Sequence, residues 1–152
     1  MTSTSIEDPD FRVRREVYDQ TLTNGRPPAT NDLAARLQLP IEEIRASLRR
    51  LAATRVLVLQ PGAGEILMAN PFSAIPTPFV VETPAYSAFG NCIWDALGIS
   101  AMLRQPARVR TACGCCGEAI ELDVDSGAVR SASGTVHFAV PALGWWEDIV
   151  FT

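Results

Sequence analysis

Residues 86 to 117 read YSAFGNCIWDALGISAMLRQPARVRTACGCCG, and all four cysteines of the chain lie inside this stretch. Cys92 and Asp95 stand three residues apart in a segment with helical periodicity, a spacing that sets a thiol and a carboxyl on one face about one turn apart. Cys113, Cys115 and Cys116 follow at the end of a segment with strand character. A thiol acts as a soft ligand or nucleophile only as thiolate, and a carboxyl beside it can hold or deliver a proton, so the pair suits soft-metal chemistry.

Outward from this stretch, the pattern changes period twice. Pro106 ends the helical pattern that runs from Ala85 to about Leu103, with Phe89, Ile93, Leu97 and Ile99 as buried candidates. After it Val109 and Thr111 alternate with Arg108 and Arg110, and Ala119 to Val124 alternates beyond the turn at 114 to 118. This reads as a hairpin with the cysteines at its tip. Asp125-Ser126-Gly127 is a further turn, Val136 to Val140 a further strand, and Ala142 to Thr152 a helical turn anchored by Trp145 and Trp146. On the other side, Pro71, Pro76, Pro78 and Pro84 mark residues 73–84 as a linker, with a short apolar strand at Phe79-Val80-Val81.

The first 72 residues read as helices. Glu7 to Leu22 carries the apolar stripe Phe11, Val13, Val17, Tyr18 and Leu22, and Asn24-Gly25 stops it. Thr30 or Asn31 caps a short helix to Leu37, and Pro40 opens a longer one to about Thr54, with Ile41, Ile44, Leu48 and Leu51 inward. Val56 to Leu59 and Glu65 to Ala69 form a hairpin about the turn at 61 to 64. Helix, short helix, longer helix and hairpin is the order of a winged helix-turn-helix, in which Arg45, Arg49 and Arg50 would face DNA. The alternative is a structural module with those arginines in solvent. Charge favours the alternative: residues 1 to 72 hold nine arginines against nine acids, and two glutamates open the longer helix.

At 152 residues the chain suits one domain or two small ones, and 47% hydrophobic content argues for a buried core. Neither half of the chain is a basic nucleic-acid footprint, the net charge of −4 mainly favours solubility, and arginine supplies all thirteen basic residues. No apolar run is long enough to span a membrane, and the first eleven residues have no apolar signal core, so the expected compartment is the cytoplasm. There, four cysteines read as reduced thiols or metal ligands rather than disulfides.

Asn91-Cys92-Ile93-Trp94-Asp95-Ala96-Leu97, then Ala107-Arg108-Val109 leading to Cys113 and Gly117, then Val136-His137-Phe138 with Trp145 and Trp146, resembles the alkylmercury lyases. The resemblance implies an α+β protein: a winged helix-turn-helix-like domain at 1–72, the linker at 73–84, and a small mixed helix and sheet domain of the alkylmercury lyase type at 85–152. It implies protonolysis of a carbon–mercury bond, in which two cysteine thiolates hold mercury and an aspartate moves the proton. Cys92 matches the first catalytic cysteine and Asp95 the aspartate. Cys113 matches a family cysteine outside the catalytic pair. The second catalytic cysteine precedes the Val-His-Phe segment, where this chain has Ser133, a hard ligand that cannot replace a thiolate for mercury. Either Cys115 or Cys116 then reaches Cys92 and supplies the second sulfur, or the fold persists without the activity.

The expected soft-metal donors are therefore Cys92, Cys113, Cys115 and Cys116, with an organomercurial as small-molecule partner and no cofactor required. Copper is a second soft candidate. Zinc is a further alternative, since Cys113-x-x-Cys116 has knuckle form and Cys92 with His137 would complete four ligands. A regulator that binds DNA and senses metal is the alternative function. Each residue also has a plainer reading: Cys92 as a small buried apolar side chain, His137 as a core histidine, the tryptophans as core anchors, and Asp95 as the partner of Arg104, Arg108 or Arg110.

Overall fold

The computed structural model of the chain describes residues 8–131 and 134–150. Its backbone contacts divide into two units, Met1–Ile75 and Pro76–Thr152. No described helix is long and apolar enough to cross a membrane.

In the first unit three helices, α1 (Pro9–Asn24), α2 (Thr30–Leu37) and α3 (Ile41–Ala53), precede a three-stranded antiparallel sheet of β1 (Val58–Leu59), β2 (Ile66–Ala69) and β3 (Phe72–Ser73). Asp8 caps α1 by accepting the Asp10 amide N–H, Pro9 stands in its first turn, and Gly25 closes it in the left-handed region with φ 77°. Val13, Val17, Leu33, Ile44, Leu48, Leu51, Leu57, Ile66 and Ala69 form the core. The Asp10 carboxylate joins α1 to α3, accepting from Arg50 Nε at 2.8 Å and Nη2 at 2.7 Å and from the Ser47 hydroxyl. Phe11, expected inside, is 52% exposed and lies beneath the Arg15 guanidinium. The cap of α2 is Ala29, so Thr30 is a buried first-turn residue, and Pro40 is the cap of α3 rather than a residue of its first turn.

The second unit is a five-stranded antiparallel sheet in the order β5-β4-β6-β7-β8 with one helix packed on it. The strands are β4 (Val80–Glu82), β5 (Ser87–Phe89), β6 (Ala107–Ala112), β7 (Ala119–Asp125) and β8 (Ala128–Ser131); the helix is α4 (Ile93–Leu103). Val81 pairs with Ala88 on one side and Val109 on the other, and Val109 pairs with Leu122. These four alternate inward with Ala107 and Val124, and α4 adds Ala96 and Ile99. On the opposite face Arg108 pairs with Asp123 (2.8 Å) and Glu121 (3.8 Å), and Arg110 with Glu82 (2.9 Å) and Glu121 (3.6 Å).

Three local expectations change. Residues 73–84, expected as a linker with a short strand at Phe79-Val80-Val81, hold that strand one residue on as β4 in the interior of the sheet, because Val80 and Glu82 find partners on both edges despite the flanking prolines. The helix expected from Ala85 begins only at Ile93: Ser87–Phe89 pairs with β4, since alternation at Ala88 is satisfied by the sheet. Val136 to Val140 is irregular rather than a strand, and Ala142–Glu147 is a 3₁₀ helix.

Candidate functional site

The site is built at the start of α4. β5 ends at Phe89, and Gly90 turns the chain beneath the helix: its N–H donates to Phe79 O at 2.9 Å and its carbonyl accepts the Thr77 hydroxyl at 2.5 Å. A Cβ at Gly90 would stand 2.6 Å from the Ala96 nitrogen and 3.1 Å from the Cys92 carbonyl oxygen, so only glycine fits. Cys92 is then the N-cap, extended at φ −146° and ψ −178°, and its carbonyl accepts the Ala96 N–H at 3.0 Å.

Cys92 and Asp95 therefore stand as cap and third helical residue, a relation in which one side chain reaches back toward the other. The sulfur makes no regular cap hydrogen bond, yet it lies toward the amide N–H groups of Asp95 and Trp94, the loose contact typical of sulfur. Burial pushes the Cys92 thiol up; those amides pull it down, while the Asp95 charge and the hydrogen bond to its carboxylate push it further up. Burial likewise pushes the Asp95 carboxyl up, offset in part by donation from the Asn91 side chain, the Cys92 thiol and the Asn91 amide N–H. Burial thus makes each group resist ionisation, and the thiol and the carboxyl lie side by side.

The outer side of Cys92 opens on a cavity of about 150 Å³ walled by Phe79, Ile93, His137, Phe138, Val140 and Trp145. Trp145 is fixed by its Nε1–H donating to Val140 O at 2.8 Å and by its ring lying 5.0 Å from that of Phe138. Trp94 is 63% exposed and borders a shallower depression on the same loop, so it is neither core nor part of the Cys92 cavity. His137 is exposed on the cavity rim instead of buried as a core histidine.

Cys92 and Asp95 are brought together; the other sequence candidates are not brought to them. Cys113 is half-buried and Cys115 and Cys116 are exposed at the tip between β6 and β7, and none of the three lines the Cys92 cavity. Among the described residues no group of three or more His, Cys, Asp or Glu side chains is arranged to hold a metal ion, so the expected four-thiol set and a Cys92–His137 zinc set are not assembled. Ser133 lies outside the described residues. Two of the three arginines proposed for Asp95 are engaged elsewhere: Arg108 and Arg110 serve the acidic face of the sheet. Phe79 and Asn91 were not among the expected site residues. Adjacency to Cys92 was a signal for Asn91, whereas Phe79 becomes visible only through the pairing of β4 with β5.

The sequence model of the family described as alkylmercury lyase matches residues 72–152, more than half of the chain. Among solved structures, a crystal structure of the mercury-bound form of MerB2 is similar at a TM-score of 0.64 and 19% identity, covering 84% of this chain. The chain spans 61% of the length of that protein's chain. No curated protein matches the sequence.

Proposed function

The chain belongs to the alkylmercury lyase family, and we propose that Cys92 and Asp95 carry out protonolysis of a carbon–mercury bond in the Phe79, Phe138 and Trp145 cavity. The observation that supports this most directly is the Cys92 thiol lining an apolar cavity with the Asp95 carboxyl beside it, burial raising both groups. Sulfur bonds mercury as thiolate, so the Cys92 proton must have somewhere to go. Asp95, held above the ordinary carboxyl range, is a ready acceptor and then a ready acid.

In the proposed sequence R–Hg–X enters with its organic group against the aromatic wall. Cys92 sulfur bonds mercury, X⁻ leaves to solvent, and the thiol proton passes to Asp95. A low-molecular-weight thiol supplies the second sulfur as thiolate, its own proton leaving with X⁻, because no third donor joins Cys92 and Asp95 among the described residues. The Asp95 proton then adds to carbon as the carbon–mercury bond breaks, its electron pair forming the C–H bond. The products are R–H and Hg(II) held by two thiolates. No other cofactor is needed, and a thiol-rich cytoplasm suits the step.

Incubation with an organomercurial and excess small thiol tests this: the free hydrocarbon and protein-bound Hg(II) should appear in equal amounts, and Cys92→Ser should yield neither. Hydrocarbon release no faster than in buffer with thiol alone, from folded protein, would overturn the reading.

The finer reading of the first unit is a winged-helix-like scaffold rather than a DNA reader. Arg50 is committed to Asp10 and Arg45 to Glu42 at 2.7 Å, which leaves Arg49 as the sole one of the three without a described ion pair. A gel-shift titration with upstream DNA, with and without mercury, should show no complex below the range of non-specific binding.

A further inference from the structure

The buried side of α4 is formed by Ala96, Ile99 and Ser100. Trp94 stands two residues before Ala96, which at about 100° per residue turns its indole away from that side, and it is 63% exposed. Beside it lies an open depression of about 620 Å³ whose walls include Val136, Pro141 and Ala142. The only ionisable side chain bordering it is His137; no carboxylate or guanidinium lines it. This depression and the Cys92 cavity have a wall in common, since His137 to Val140 and Trp145 border both. The Cys92 cavity measures about 150 Å³, the size at which an apolar cavity takes one benzene ring. A longer group whose first ring is bonded to mercury at Cys92 therefore has to continue beyond that cavity, and the adjoining space is the one that Trp94 bounds.

We propose that the Trp94 depression is a second subsite for the organic group, which makes mercurials carrying two linked or fused rings the preferred substrate class. The inference rests on the reading that Cys92 bonds mercury. Large exposed apolar surface beside a reactive cavity marks a place where a ligand is seated. The Trp94 indole, fixed on the first turn of a helix, offers a flat face for a distal ring. A neutral group fits better than an anionic one, because His137 is exposed at the rim, where water competes for any ion pair. Trp94 touches no reacting atom in this arrangement. Contacts made equally in the ground and transition states lower KM and leave kcat alone, so its effect is one of selection.

Steady-state turnover of methylmercury, phenylmercury and biphenylylmercury by the full chain, in excess small thiol, tests this. The wild type should show a KM for the biphenylyl substrate roughly tenfold below that for phenyl, the size of one aromatic contact. Trp94→Ala, at an exposed position, should erase that ratio, and Trp94→Phe should restore part of it. A purely structural role would lower kcat for all three substrates alike and leave the ratio standing, which would overturn the proposal. A binding measurement separates it from the lyase reading: in isotope-labelled protein, biphenylylmercury should shift the indole N–H signals of Trp94 and Trp145, and phenylmercury that of Trp145 alone. A Trp94 shift without hydrocarbon release keeps the subsite and removes the reaction. Hydrocarbon release with a KM ratio indifferent to Trp94→Ala keeps the reaction and removes the subsite. Sedimentation showing a dimer that Trp94→Ala dissociates would also overturn the proposal and assign the surface to a second copy of this chain.

Discussion

The Cys92 thiol donates to the Asp95 carboxylate across the first turn of α4, while Asn91 donates to the same carboxylate from its side chain and its backbone. An acid is thereby held next to the sulfur that would receive the metal, with no arginine to strip its proton. Two half-buried groups each resist ionisation, so a proton is kept beside the sulfur, where a carbon–mercury cleavage would require it.

Replacing Asp95 by Asn should separate stability from activity. The folded carboxyl titrates above its ordinary value, so its contribution to stability is complete below about pH 3.9, the unfolded value, and is lost as pH rises through the folded one. The wild type should lose stability across that rise and Asp95→Asn should not, making the variant the more stable protein at pH 7 in urea titrations. Hydrocarbon release should fall by roughly 100-fold or more, the usual contribution of a positioned acid.

Gly90→Ala should damage the site through the backbone. The added methyl meets the Ala96 nitrogen at 2.6 Å, an atom that cannot move without opening the first turn of α4. Overpacking of this kind costs about 1–3 kcal/mol, and thermal melts should register it. Loss of activity should exceed what the melting shift accounts for, because Cys92 and Asp95 ride on the displaced turn.

Trp145→Ala removes the ring 5.0 Å from Phe138 and the donor to Val140 O. Aryl substrates should then show KM raised roughly tenfold, the equivalent of one lost aromatic contact. Methylmercury, too small to reach that wall, should be affected less. Equal loss for both substrates in steady-state kinetics would mean the cavity does not seat the organic group.

Acid should weaken the first unit through Asp10. Arg50, first by its hydrogen bonds, and Ser47 hold that carboxyl below the ordinary range against the opposing effect of burial. A depressed folded value means stability present above the unfolded value and lost as pH falls through the folded one. Asp10→Asn should therefore cost about 1 kcal/mol at pH 7, a figure already reduced for the exposed Arg50 partner, and progressively less below about pH 4. Urea melts of the two proteins at both pH values check it.

Local sequence carried the helical first unit well, because Gly25 after Asn24 and the spacing of Ile44, Leu48 and Leu51 act within a few residues of themselves. It also carried the cysteine-tipped hairpin, where alternation in β6 and β7 flanks a glycine turn. It marked a short strand at Phe79 to Val81, where β4 lies one residue on, and missed β5, since a three-residue strand has no signature apart from the partner it finds in β4. The boundary of α4 moved for the same reason: Ser87 to Phe89 is compatible with helix, and only pairing with Val80 to Glu82 draws it into the sheet.

The three-residue spacing of Cys92 and Asp95 was in the chain from the outset, since one helical turn suffices to bring them together whatever surrounds them. Which of the remaining thiols joins that pair was a matter of tertiary structure alone, and the folded chain keeps Cys113, Cys115 and Cys116 at a hairpin tip while Phe79, Phe138 and Trp145 line the cavity beside Cys92. The physical reason is range: a cap and its third residue are joined by a few torsions, whereas a cavity wall drawn from residues 79, 138 and 145 exists only after the strand, the loop and the 3₁₀ turn have been packed against one another.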